Sequence, residues 1–220
     1  MTFLPDSDLS LQSLRSPEIS TPFSLEGEPL KLGVMASGSG SNFEVIAQAI
    51  AAGQLPAKLQ VLIYNNPGAK VAARAERLGV PAVLLNHRDF NSRKQFDGKI
   101  VEVLQRHGVE WVVMAGWMRI VTEVLLAAFP DRVLNIHPSL LPSFRGGRAV
   151  EDALAAGVKV TGCTVHRVRL AVDTGPILIQ AAVPILPDDT VESLHARIQV
   201  QEHRILPAAI ALAASEITGD

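Results

Sequence analysis

An amide and an imidazole, Asn135 and His137, stand near the end of the apolar run Val133–Ile136, which stops at Pro138. Alternate side chains of a strand share a face, so the pair would project together. Both can donate to an oxygen that is turning negative, the amide always and the imidazole once protonated. That suits attack of a nucleophile on a carbonyl, where losing one donor to the oxyanion typically costs about 3 kcal/mol of barrier. Asp173, in the stretch Val172-Asp-Thr-Gly-Pro176, is a third candidate. A carboxylate beside His137 would orient its ring and favour its charged form. Taken singly, His137 fits a structural residue ahead of proline, and Asp173 fits a turn residue ahead of Gly175. Spacing alone does not bring the two together.

A second candidate is the small-residue loop Ser37-Gly-Ser-Gly-Ser-Asn42. Backbone N–H groups in such a loop, opening a helix, suit an anion. No Gly-Lys-Ser/Thr follows, so it is not a Walker loop, and Phe43 stands where a dinucleotide fingerprint needs its third glycine. The alternative is a tight turn with Asn42 capping the helix. Arg93 and Arg119 follow expected strand ends and are candidate anion contacts. No Cys/His set has metal-ligand spacing, and no serine sits in a nucleophile elbow. His166, in an alternating strand, reads as structural.

These residues need a frame. The pattern predicts strands over 31–36, 59–64, 82–85, 111–115 and 133–137, with helices between them over the stretch after Asn42, up to Gly79, near 92–107 and near 122–128. Alternation at this spacing argues for βαβ units and a parallel sheet, with ligands beyond the carboxyl ends of its strands. After a helix over 149–156, strands over 161–168 and 177–184 would add an antiparallel hairpin. A capping box, Asp189 with Glu192, would open a last long helix interrupted near Pro207. The fold class is therefore α/β: an open, mostly parallel, Rossmann-like sheet with helices on both faces and a C-terminal antiparallel hairpin.

The totals narrow the class. The chain has 220 residues, is 48% hydrophobic and carries a formal net charge of −2, which suits one large core and gives no basic excess for nucleic acid. Its one cysteine, Cys163, excludes an internal disulfide framework and fits a reducing, cytoplasmic setting. No apolar run suggests a membrane span. Residues 1–30 carry Asp6, Asp8, Glu18, Glu26 and Glu28 against Arg15 alone. They are expected to form a flexible extension ahead of a single domain over 31–220.

Across roughly residues 31–214 the chain resembles the glycinamide ribonucleotide formyltransferases, folate-dependent enzymes of purine synthesis. The resemblance rests on Ser37–Asn42, Ala115-Gly-Trp-Met-Arg119, Asn135-Ile-His-Pro-Ser-Leu-Leu-Pro142, Thr161-Gly-Cys-Thr-Val-His166, Asp173-Thr-Gly-Pro-Ile-Leu178 and Gln201-Glu-His203. It implies a formyltransferase fold and transfer of formyl from 10-formyltetrahydrofolate, as cosubstrate and without metal, to the amine of 5-phosphoribosylglycinamide. It implies Asn135, His137 and Asp173 as the catalytic set, with His137 and Asn135 on the oxyanion and Asp173 raising the His137 pKa. Gly40, Ser41, Asn42, Gln201 and Glu202 would hold the ribonucleotide. Arg93, Met118, Arg119, Ile120, Val121, Asn135 and the stretch Arg169, Leu170, Ala171, Val172, Asp173 would hold the folate. The chain departs from the family's commoner residues at Arg148, Val150, Arg167 and Leu170.

The expected partners are these two small molecules, with no nucleic acid or membrane, acting in a monomer or homodimer. The rivals are a formyltetrahydrofolate deformylase, another folate formyltransferase such as the methionyl-tRNA enzyme, and a non-catalytic nucleotide-binding α/β module.

Overall fold

A computed structural model describes residues 14–17 and 28–218. Among these residues eight strands form one sheet: β1 (Arg15–Ser16), β2 (Leu30–Ala36), β3 (Ala57–Tyr64), β4 (Ala82–Leu84), β5 (Trp111–Met114), β6 (Val133–His137), β7 (Val160–Arg167) and β8 (Ile177–Pro184). The α-helices described connect or flank them: α1 (Ser41–Ala51), α2 (Val71–Arg77), α3 (Arg93–Arg106), α4 (Glu123–Ala128), α5 (Ala149–Ala155) and α6 (Val191–Thr218). The strand order is β1-β8-β7-β6-β5-β2-β3-β4. β6, β5, β2, β3 and β4 run parallel, while β7, β8 and β1 are added antiparallel. This is the expected architecture.

The two faces are filled by different helices, and strand alternation decides which residue goes where. Leu32, Val34 and Ala36 of β2, with Trp111 and Val113 of β5, pack with Phe43 and Ile46 of α1, Val71 of α2, Val150 of α5 and Leu194, Ile198 and Ile205 of α6. Met35, Val61, Ile63, Val112 and Met114 face the other way, onto Phe96, Ile100 and Leu104 of α3 and Leu125 of α4. Met114 pairs in register with Asn135, and Asn135 with His166. The polar side chains therefore leave the sheet on the α3–α4 face, at its far end.

Local signals behave as their chemistry requires. The Ser92 hydroxyl caps α3 by accepting from the Gln95 N–H at 3.2 Å, and Thr122 caps α4. Three expectations need correction. The capping box of α6 is Thr190 with Ser193, one residue later than predicted, and each takes the other's backbone N–H. Asp189 is diverted to Arg197, the Ser193 hydroxyl and the Leu186 N–H. Pro207 does not interrupt α6, which runs unbroken from Val191 to Thr218. A proline inside a helix costs about 3 kcal/mol, and burial of Ile205, Leu206, Ala209 and Ile210 around it outweighs that. Finally, part of the acidic N-terminal stretch is ordered against the sheet. Arg15 pairs with Ala181 and Ser16 with Gln180, while β2 already begins at Leu30. The remainder of that expected extension, 1–13 and 18–27, lies outside the described residues.

Candidate active site

Asn135, His137 and Asp173 converge at the carboxyl end of β6. His137 Nδ1 lies 3.4 Å from Asp173 Oδ2, and Asn135 Nδ2 lies 3.5 Å from Asp173 Oδ1. His137 Nε2 meets the Phe144 carbonyl at 2.8 Å. Both ring nitrogens thus face oxygen acceptors, which they can serve together only when each carries a proton. His137 and Asp173 are almost fully enclosed, with side chains 6% and 9% exposed.

Asp173 is brought here by its loop. Its backbone takes a left-handed φ of 52°, and its Oδ2 accepts the Gly146 N–H at 2.8 Å. A Cβ on Gly175 would lie 1.7 Å from the Arg167 carbonyl, so only glycine lets the loop pass this close to β7. Burial pushes the Asp173 carboxyl up, but the His166 ring, the Gly146 N–H and the charge of His137 together hold it below the usual aspartate value.

His166, read from its strand as structural, joins this cluster. Its Nε2 lies 3.2 Å from Asn135 Nδ2 and 3.5 Å from Asp173 Oδ1, and its Nδ1 meets the Arg167 carbonyl at 2.9 Å. The antiparallel register of β6 and β7 sets it opposite Asn135. The period-2 pattern of residues 161–168 carries its face but not its partner.

The loop 37–42 is built as a backbone cradle. Gly40 has a φ of 77°, and a Cβ there would come within 2.3 Å of Val71. Asn42 does not cap α1. Its Nδ2 donates instead to Glu202 Oε2 at 2.8 Å, while its Oδ1 is buried without a partner. Burial pushes the Glu202 carboxyl up, against the opposing effects of Asn42 and His195.

One cavity of about 630 Å³ joins the two halves. It is lined by Gly40, Ser41 and Asn42, by Met118, Arg119, Ile120 and Val121, by Asn135, His137, His166 and Asp173, by Arg169, Leu170 and Val172, and by Glu202. Three of the expected contacts are not among its lining residues. Arg93 opens α3 and acts on Asp97. Gln201 precedes Glu202 on α6 and so points roughly 100° away around the helix. Ala171 uses its carbonyl to accept from Thr174. His195 and Gln199 line the cavity and were missed. Their spacing with Glu202, seven and three residues before it, puts all three along one helical stripe and was the available signal.

Of the departures from the resembled pattern, Leu170 alone lines the cavity. Arg167 turns away to the Asp131 and Ala213 carbonyls and Glu216, its guanidinium 5.8 Å from the Trp111 ring centroid. Val150 is in the core. Arg148 sits just before α5.

A formyl transferase family model matches residues 30–210. Phosphoribosylglycinamide formyltransferase of Bacillus subtilis (strain 168) is 42% identical over 180 residues, 82% of this chain and 92% of that protein. The human trifunctional purine biosynthetic protein adenosine-3 is 40% identical over 202 residues, and this chain spans 20% of its length. The crystal structure of glycinamide ribonucleotide transformylase 1 from Symbiobacterium toebii aligns with a TM-score of 0.84 at 46% identity, covering 89% of this chain and 94% of that one. The phosphoribosylglycinamide formyltransferase structure from Bacillus Halodurans aligns with a TM-score of 0.80 at 44% identity, covering 82% and 93%. With its βαβ frame, strand-end cluster and these relatives agreeing, the chain belongs to the formyl transferase family.

Proposed function

We propose that this protein transfers the formyl group of 10-formyltetrahydrofolate to the amine of 5-phosphoribosylglycinamide, a step of purine synthesis. The observation that carries the reading is one continuous cavity that runs from the 37–42 cradle past Asn135 and His137 to Met118–Val121. The phosphate would take the cradle and the amino terminus of α1, with Glu202 beside it on the ribonucleotide. The folate would lie along Met118, Arg119, Ile120 and Val121 and against the 169–173 stretch. The formyl carbon then falls between them, at the Asn135–His137 pair.

The amine lone pair attacks the formyl carbon. The resulting oxyanion accepts from the Asn135 amide and from the His137 ring, whose Nε2 exchanges the Phe144 carbonyl for it. Asp173 holds the ring by Nδ1. His166, its Nδ1 on the Arg167 carbonyl, sets its Nε2 beside the Asn135 amide and the Asp173 carboxylate and holds both in place. Collapse breaks the bond from carbon to N10 of the folate, and N10 takes up the proton that the amine loses. The cosubstrate supplies the one-carbon unit and the protein forms no covalent bond to it. We place the protein in the cytoplasm, as monomer or homodimer. Among the described residues no helix is long and apolar enough to cross a membrane, and Cys163 is buried.

The test is an amine-dependent assay that follows deformylation of 10-formyltetrahydrofolate by absorbance, with wild type and His137→Ala. Turnover should need the ribonucleotide amine and fall about 10²–10³-fold in the variant, as for loss of one oxyanion donor, while ribonucleotide binding persists. Turnover without the amine would make the protein a deformylase. Binding with no turnover would make it a nucleotide-binding module.

A further inference from the structure

The segment between β5 and α4, residues 116–121, is a strap held at both ends. At its start, the Met118 N–H donates to the Ser37 hydroxyl at 2.9 Å, and the Ser37 N–H donates to the Gly116 carbonyl at 3.1 Å. At its end, Asp97 Oδ2 accepts both the N–H and the hydroxyl of Thr122, at 2.5 and 2.8 Å. Ser37 and Asp97 are buried, 6% and 2% exposed. Between the anchors the strap alternates. Trp117 and Val121 are buried, whereas Met118 and Ile120 hold their apolar side chains 66% and 52% exposed at the cavity. Trp117 also stacks on Phe96, the neighbour of Asp97 in α3, at 6.0 Å and 4° between planes.

Exposed methionine and isoleucine gain nothing from water and would not hold a fixed position unaided. Their placement comes from the two anchors. Ser37 is also the first residue of the small-residue loop, and its carbonyl accepts from Asn66 Nδ2 at 2.8 Å. The same serine therefore ties the strap to the loop on the other side of the cavity.

We propose that Ser37 and Asp97 are positioning residues that fix the Met118–Val121 strap as the wall for the cosubstrate, Ser37 tying it to the 37–42 loop. The assignment of that wall to folate rests on the function proposed above; the anchoring itself does not.

The experiment uses the full chain with Trp111→Phe, leaving Trp117 as its sole tryptophan, and adds Ser37→Ala, Asp97→Ala or Thr122→Val. Steady-state kinetics should show the KM for 10-formyltetrahydrofolate raised about five- to tenfold, as loss of one buried hydrogen bond gives. In the Asp97 and Thr122 variants the KM for the ribonucleotide and kcat should stay within about twofold. Acrylamide should quench Trp117 fluorescence more strongly in each variant, with no ligand present. Unchanged quenching in any variant, or equal changes in both KM values of the Asp97 or Thr122 variant, would overturn the proposal. If Asp97→Ala fails to fold, Thr122→Val decides by the same readouts and Ser37→Ala by quenching. If the parent protein shows no turnover, the functional reading fails, and the quenching comparison alone decides whether the anchors position the strap.

Discussion

Two buried carboxylates in the same cavity are pushed in opposite directions, and the difference sorts their work. Asp173 is surrounded by donors and histidines that hold its folded-state pKa below the unfolded value. It adds stability above about pH 4, the unfolded aspartate value, and loses it as the pH falls through the depressed folded value. Glu202 is raised by burial. Its contribution is complete below its unfolded value, about pH 4.3, and is lost as the pH rises through the raised folded value. Thermal melts from pH 3 to 8 should therefore diverge. The advantage of wild type over Asp173→Asn should shrink below about pH 4. The advantage of Glu202→Gln over wild type should grow as the pH rises, because glutamine keeps an acceptor for Asn42 without a charge. Parallel curves for either variant would contradict the assignment. At this scale the sequence was partly readable. Asn135 and His137 announce themselves because a strand's period is two. His166 does not, because its role depends on which strand lies alongside and in what register, and one strand's residues do not encode that.

At the scale of elements, function hangs on how closely loops approach strands. The Arg169–Asp173 stretch returns to β7 with Gly175 against the Arg167 carbonyl, so Gly175→Ala must push it outward. Asp173 moves with it. The expected outcome is a loss of kcat of at least about tenfold, as for a misplaced catalytic group, with the 37–42 half of the cavity still binding inorganic phosphate in a calorimetric titration. Retained turnover would mean that the loop has slack the geometry does not show. The order of strands and helices was legible from apolar periodicity and glycine stops. The α6 cap was mislocated because Asp189, a good cap by type, is claimed by Arg197. The break expected at Pro207 fails because core burial overrides local propensity.

For the whole molecule, the sheet has one outer edge covered by its own N-terminal segment. Arg15 and Ser16 occupy the free side of β8 at Ala181 and Gln180, and the Ala182 N–H donates to the Leu14 carbonyl. Open strand edges are templates for pairing with another chain. Deleting residues 1–17 should leave kcat within about twofold, since its described residues, 14–17, do not line the cavity, and should increase self-association in sedimentation velocity. Unchanged sedimentation would show that the remaining β8 edge is already protected. Composition marked this stretch as different from the rest, but an edge pairing depends on a strand that lies far later in the chain.

The bond from Asn42 to Glu202 crosses 160 residues of sequence. During synthesis the cradle loop and its helix emerge well before α6, which carries the carboxylate that completes their side of the cavity. A growing chain could form the parallel strands and still leave that side of the cavity open. Under the proposed function, a chain cut short before α6 would lack Glu202 and leave no half-active form in the cell.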